Sequence, residues 1–266
     1  PVIREFFGKT FAQENFDKKK ADLILGNNVF AHVPDINDFV DGLKLTLKVQ
    51  GTITLEFPHL LSLIQMNQFD TVYHEHYSYL SLQTVVEVFK RAGLRIFDVE
   101  ELSTHGGSLR VFGCHADDDR PNSHNVETIL EMESNAGLRS LKTYTDFQSN
   151  ADKVKDDLLS FLVEKKRQGK KVIAYGAAAK GNTLLNYAGI KPDLLELVCD
   201  AAPSKQNKYL PGSHIPILDP SYLENLDVDY VLILPWNLSD EISQELDYLR
   251  NKGTKFVSAV PKLKIF

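Results

Sequence analysis

Two cysteines, Cys114 and Cys199, are all the sequence contains, far apart and without a C-x-x-C pair. Neither a disulfide framework nor a structural zinc site can be assembled from them. No run approaches the roughly 18 apolar residues that span a bilayer, and no basic start leads into an apolar core with a small-residue cleavage site. A soluble, cytoplasmic chain with no membrane partner is expected. Positive charge is in deficit: 30 Lys and Arg against 36 Asp and Glu give a net charge of -6. With no basic stripe to override that balance, nucleic acid is not an expected partner. Low-complexity tracts and short-period repeats are also missing. What remains is an ordinary globular composition of 266 residues, 43% hydrophobic, 25% charged and 10% aromatic. That length suits two modest cores better than one.

The chain opens at Pro1, with no cap, tail or leader before it, as a cut piece would. Val2-Ile3-Arg4-Glu5-Phe6-Phe7 reads as a strand. Thr10 to Lys20 suits a helix with Thr10 as its N-cap, and Ala21 to Gly26 a second strand. After the loop 27–35, Ile36, Phe39, Val40, Leu43 and Leu47 recur at helical spacing behind Asp35. Gly51 then begins a strand, Thr52 to Phe57, that ends at Pro58. Ser81 caps a helix with Leu82, Val85, Val86 and Phe89 on one face, stopping at Gly93. Leu94 to Leu102 and Ser108 to His115 are strand-like runs, and Gly106-Gly107 between them marks a hairpin. From Val126 to Gln168 the chain is charged and helical. Strands at 170–176, 195–199, 230–234 and 255–259 then alternate with helices. The expected class is α/β: two Rossmann-like, doubly wound domains, the first truncated. The divisions are 1–115, a helical connector over 116–168, and 169–266.

The densest cluster of titratable side chains is Tyr73-His74-Glu75-His76-Tyr77, in the loop between the strand ending at Phe57 and the helix at Ser81. Loops after the carboxyl ends of strands are where α/β folds place their sites. An extended backbone would send Tyr73, Glu75 and Tyr77 to one face and the two histidines to the other, whereas a tight turn lets neighbours converge. The plain alternative is that these rings pack under the helix. His32 lies in the loop after the preceding strand, so both groups can share one sheet edge. His-x-His with His32 or His59 as a third ligand is too common an accident to indicate zinc, and H-E-x-x-H is absent, so no metal site is expected.

Tyr175-Gly176-Ala177-Ala178-Ala179-Lys180-Gly181-Asn182-Thr183 follows a strand and opens a helix. Small residues there let a backbone approach a phosphate, with Lys180 as counter-charge, although the segment is neither G-x-G-x-x-G nor a P-loop. A tight packing turn is the other explanation. Asp200 ends the next strand at a loose match to a ribose-binding acid. Pro235-Trp236-Asn237 closes another strand, where the single tryptophan either walls a pocket or plugs the core.

Four of these segments together resemble the S-adenosylmethionine-dependent C-methyltransferases of nucleotide-linked keto-deoxysugars: Asn27 to Asp35, Phe69 to His76, Thr104 to Arg110, and Tyr175 to Asn182. They occur in the family's order and cover nearly the whole chain. The resemblance implies a zinc-binding N-terminal domain, a central methyltransferase domain and a C-terminal Rossmann-like domain. The first has no counterpart here, so zinc is expected in none of these residues, and the donor site of the second is incomplete. By resemblance, His32, Tyr73, Glu75 and His76 match the active site, with His76 or Tyr73 as the base. Asn27 and Asn28 would touch the S-adenosylmethionine. Ser108, Arg110, Lys180, Asn182 and Asn237 would lie near the nucleotide-diphosphate sugar, with Lys180 and Arg110 supplying compensating charge. The competing possibilities are a nicotinamide-dependent oxidoreductase or nucleotide-binding Rossmann module built on the second α/β unit, a metal-dependent hydrolase centred on His32, His74 and His76, and a catalytically silent sugar-nucleotide binding unit. This chain alone is expected to be inactive.

Overall fold

In the computed structural model, which describes residues 2–266, the chain gathers into two units: residues up to Gln65 with His74–Thr143, and Met66–Tyr73 with Tyr144–Phe266. The first opens on Val2–Phe7, which pairs with no strand among the described residues, contrary to the expected strand. Phe6 is 92% exposed. The Phe7 ring packs edge-on against Phe11 and Phe39 at 6.0 and 5.4 Å, so one aromatic side chain rather than a ladder holds the segment. Helix α1 (Lys9–Phe16) is capped from elsewhere and not by Thr10. The Lys9 N–H donates to Asp38 Oδ1 at 3.2 Å, and a side chain at Gly8 would collide with the same carboxylate.

Strand β1 (Ala21–Asn27), helix α2 (Ile36–Thr46) and strand β2 (Leu47–Pro58) form a βαβ unit with β1 and β2 parallel. Asp35 caps α2, accepting the Asn37 and Asp38 N–H groups at 3.0 Å each. β2 begins at Leu47 rather than Thr52 because Leu47 already pairs with Ala21, ahead of a register shift in β1. Helices α3 (Leu60–Gln65) and α4 (Leu82–Arg91) follow. Strands β3 (Leu94–Leu102) and β4 (Ser108–His115) then form the expected antiparallel hairpin, giving the order β1-β2-β4-β3. Its turn is a short 3-10 helix, Thr104–Gly106, closed by Gly107 at φ 116, a conformation open to glycine. Helix α5 (His124–Asn135) completes the unit. Ile53, Leu55 and Phe57 of β2, with Leu109 and Val111 of β4, share one apolar cluster with α2, α4 and α5. Leu23 and Leu25 on edge strand β1 stay 53% and 68% exposed.

One carboxylate ties this unit together. Glu133 of α5 is buried and accepts the Leu82 and Gln83 N–H groups of α4 at 2.5 and 3.0 Å, with His59 Nε2 2.8 Å away. Ser81 Oγ takes the next N–H, that of Thr84, so three of the four orphan donors of α4 are satisfied by two side chains.

In the second unit, the stretch 116–168 expected as one connector is broken at Gly137 (φ 74), and α6 (Leu141–Arg167) belongs to this unit from Tyr144 onward. Next come β5 (Val172–Tyr175), α7 (Ala179–Tyr187), β6 (Val198–Cys199), β7 (Lys208–Tyr209) and β8 (Pro216–Leu218). β9 (Tyr230–Ile233), α8 (Ser239–Glu245), α9 (Asp247–Arg250), β10 (Lys255–Ser258) and β11 (Lys264–Ile265) follow. The sheet order is β11-β10-β9-β5-β6-β8-β7, with β10 through β8 parallel and an antiparallel strand at each edge. Val172 and Ala174 of β5 enter the cluster built on α6 and α7, while Ile173 and Tyr175 enter that of α8 and α9. This alternation is what a strand covered on both faces requires. The chain leaves β5 toward β6 and later returns on its other side as β9, which makes the crevice above β5 and β9 a topological switch point.

Glu133→Ala would strand His59 and two buried N–H groups, and it should cost about 3–4 kcal/mol of unfolding free energy. Denaturant unfolding monitored by circular dichroism checks this, and a loss below about 1 kcal/mol would show that the carboxylate is not the anchor described.

Candidate functional site

In the first unit, the chain after β1 makes a short 3-10 turn, Phe30–His32. Its Ala31 carbonyl accepts the N–H groups of Tyr77 and Ser78 at 2.9 and 3.2 Å. These two bonds hold the loop from His74 against the turn carrying His32, and the loop is tightly turned rather than extended. The expected alternation of faces therefore does not apply. The rings of His32 and His76 meet edge-to-face at 4.8 Å, and Tyr79 lies 6.0 Å from His76. His32 Nε2 is buried and has no hydrogen-bond partner among the described residues. An imidazole nitrogen withdrawn from water without a partner is costly in a structural role and fits a reacting group better. Glu75 and His74 are exposed. Tyr73 falls in the second unit, with its N–H donating to the Thr71 carbonyl at 3.1 Å. A cleft of about 490 Å³ beside His32 is lined by Phe6, Phe7, Val29, Asp35 and Phe39 among others.

The other candidate residues of this unit differ in their access to solvent. Asn27 and Asn28 are exposed at the carboxyl end of β1, Asn28 with φ 52 and its N–H bonded to the Glu56 carbonyl. Ser108 is buried and its hydroxyl donates to the Thr104 carbonyl at 3.0 Å. Arg110, expected to meet a phosphate, already donates to Glu56 Oε2 at 2.9 Å and lies 3.5 Å from Glu100.

The second unit supplies another constellation at its switch point. Lys180, in the first turn of α7, donates to Asn237 Oδ1 at 3.1 Å, and its ammonium sits 4.6 Å over the Trp236 ring. Trp236 and Asn237 follow β9, so the lysine and the amide come from the two loops that flank the crevice. Asn182 is not brought to them. Positions two apart on a helix do not share a face, and its Oδ1 accepts instead from Asn186 at 3.2 Å. The glycines here serve packing: a Cβ at Gly181 would stand 2.6 Å from Leu234 Cβ, and one at Gly176 2.4 Å from Pro235 Cδ. Asp200 does not project as a ribose acid. It is buried and accepts the Ala177 and Ala202 N–H groups at 2.6 and 2.8 Å, which takes one amide of the turn away from any anion.

Sequence reasoning missed Asp70. It is 0% exposed and accepts the Trp236 indole N–H on Oδ2 at 2.7 Å, while Oδ1 is buried without a partner among the described residues. Burial pushes its carboxyl up to about 6, against the lowering effects of the Trp236 bond and the Lys180 charge. Burial also pulls the Lys180 ammonium down, and Asp70 opposes that. The available signal was a lone acid inside the apolar stretch Phe69 to Val72.

Because its folded-state carboxyl is raised, Asp70 contributes most to stability when protonated, and that contribution is lost as pH rises from about 4 through about 6. The displacement from 3.8 to about 6 corresponds to about 3 kcal/mol. Asp70→Asn should therefore unfold at a higher temperature than the parent at pH 7.5, with the gap closing below about pH 4. Melting curves at the two pH values test this, and equal melting at pH 7.5 would refute it.

Residues 103–261 match the profile described as the C-methyltransferase C-terminal domain, and residues 3–99 match that of a methyltransferase domain. The chain is 35% identical over 246 residues to C-methyltransferase NovU of Streptomyces niveus, covering 92% of this chain and 58% of NovU. It thus spans less than two thirds of that curated relative. Among solved structures, a SAM dependent methyltransferase from Aquifex aeolicus is similar at 15% identity and a TM-score of 0.31, over 42% of this chain and 53% of its own. Magnesium protoporphyrin IX methyltransferase from Synechocystis PCC 6803, with bound SAH, is similar at 15% identity and a TM-score of 0.30, over 39% and 48%. The profile match over more than half of the sequence, together with the identity to NovU along nearly all of it, shows that this chain belongs to the C-methyltransferase family.

Proposed function

We propose that the whole protein is an S-adenosylmethionine-dependent C-methyltransferase acting on the carbon next to the ketone of a nucleotide-diphosphate-linked deoxysugar. The observation that carries this is the His32–His76 pair, in which a buried ring nitrogen with no hydrogen-bond partner among the described residues lies beside a second imidazole. Methylating such a carbon requires a base for a weakly acidic C–H and hydrogen-bond donors for the enolate oxygen that develops. His76 takes the proton, and His32 orients it or donates to the oxygen. Lys180, with Asn237, supplies the positive charge that a diphosphate needs at a switch point.

The residues present fit part of a methyl donor's site. The exposed amides of Asn27 and Asn28 suit its polar groups, and the aromatic walls of the cleft beside His32 suit a sulfonium. When bound, S-adenosylmethionine supplies a methyl group that needs no further activation by the protein. The side chains of this chain have the remaining tasks of removing the proton and holding the acceptor.

Calorimetric titration of the chain with thymidine diphosphate should show binding that Lys180→Ala weakens about ten-fold or more. Unchanged affinity in that variant would remove the diphosphate site from the proposal. In the whole protein, His76→Asn should lower turnover by about 10²-fold or more while nucleotide-sugar affinity stays within about two-fold. Normal turnover would exclude His76 as the base.

A further inference from the structure

Lys180 is a half-buried cation, and a cation drawn partly out of water needs a reason to stay charged and in place. The structure offers one in three linked contacts. The Asp70 carboxylate accepts the indole N–H of Trp236 at 2.7 Å, the indole presents its face to the Lys180 ammonium at 4.6 Å, and Asn237 fixes the ammonium laterally at 3.1 Å. A carboxylate on the indole N–H enriches the ring's electron density, which strengthens the attraction of its face for a cation. Asp70 also acts on Lys180 directly through its charge. We infer that Asp70 is the positioning residue of this site, acting through Trp236 to hold Lys180 charged and aimed for the diphosphate of a nucleotide sugar.

Two features favour this role over a packing role. An acid placed for packing alone would have both oxygens satisfied by neighbours, yet Oδ1 is buried with no partner in another residue among those described. The ionised carboxylate also works against folding at neutral pH, which is the usual signature of a group kept for function. Asp70 lies on Met66–Tyr73, a segment that belongs to the second unit and is anchored there by Phe69, whose ring packs on Tyr187 at 5.4 Å, and by Asn67, which donates to the Asn150 carbonyl at 3.0 Å.

The inference rests on the diphosphate reading of Lys180, and the experiment separates the two. Affinity for thymidine diphosphate glucose, whose diphosphate has no group titrating near neutrality, is measured by calorimetry for the parent chain, Lys180→Ala, Asp70→Asn and Trp236→Phe. Asp70→Asn should weaken binding about five- to ten-fold while its fold stays intact. Trp236→Phe keeps a ring but removes the N–H, and it should lose a similar factor, which decides the matter if Asp70→Asn does not fold. Lys180 is the charged group that acts on Asp70, so the parent's affinity should fall as pH drops through about 6, and in Asp70→Asn that fall should be absent. Parent-like affinity in Asp70→Asn and Trp236→Phe, with loss in Lys180→Ala, overturns the role of Asp70 and leaves the site standing. Parent-like affinity in Lys180→Ala overturns the site itself.

Discussion

A carboxylate sealed from water must find donors on all sides, and the first unit is organised around one that does. Glu133 draws on α4 for two backbone N–H groups and faces the His59 imidazole, which follows β2. The His59 N–H in turn donates to the Gly107 carbonyl of the hairpin turn, and the next N–H, that of Leu60, donates to Leu80. Three elements distant in sequence are thus pinned at one point. The stretch just after His76 is fixed twice, at Tyr77 and Ser78 by their bonds to the Ala31 carbonyl and at Leu80–Gln83 by this anchor. A rigid frame of this kind lets an imidazole pair hold one geometry without a metal ligand set or a disulfide.

The second unit reaches a comparable result by topology. Reversal of strand order beside β5 opens a crevice that no side chain has to carve, and the loops after β5 and β9 deliver Lys180, Trp236 and Asn237 to it. Glycines at 176 and 181 let the helix and the loop after β9 approach closely. The amide of Ala177 is occupied by Asp200, so the proposed recognition of a diphosphate would fall to a side-chain cation rather than to a ring of backbone N–H groups.

Much of this was legible in the sequence. Period-two and period-3.6 patterns gave α2, α4, β3, β4, β5, β9 and β10, and Asp35, Ser81 and Gly93 marked the ends of α2 and α4, because each of those signals is local. By contrast, α3 and β11 were not foreseen, and β7 and β8 stand where a helix was expected between β6 and β9. His32, His76, Lys180 and Asn237 were legible as residues after strands. The failures share a cause in long-range partners. Val2–Phe7 has strand composition but no strand beside it, and α1 is capped by Asp38, which lies well outside any local window. Arg110 carries the charge a phosphate wants, yet Glu56, one strand away, already holds it. Asp70 was illegible for the same reason, since its significance comes from Trp236, 166 positions further along the chain.

The edge of the first sheet has a practical consequence. Among the described residues β1 ends the strand order with no strand on its outer side, and its own Leu23 and Leu25 stand largely exposed. Natural sheets usually blunt such an edge with charge, proline or a covering element. Here the open ladder and the leucines coincide, so β1 offers both backbone hydrogen-bonding groups and apolar side chains to any segment laid against it.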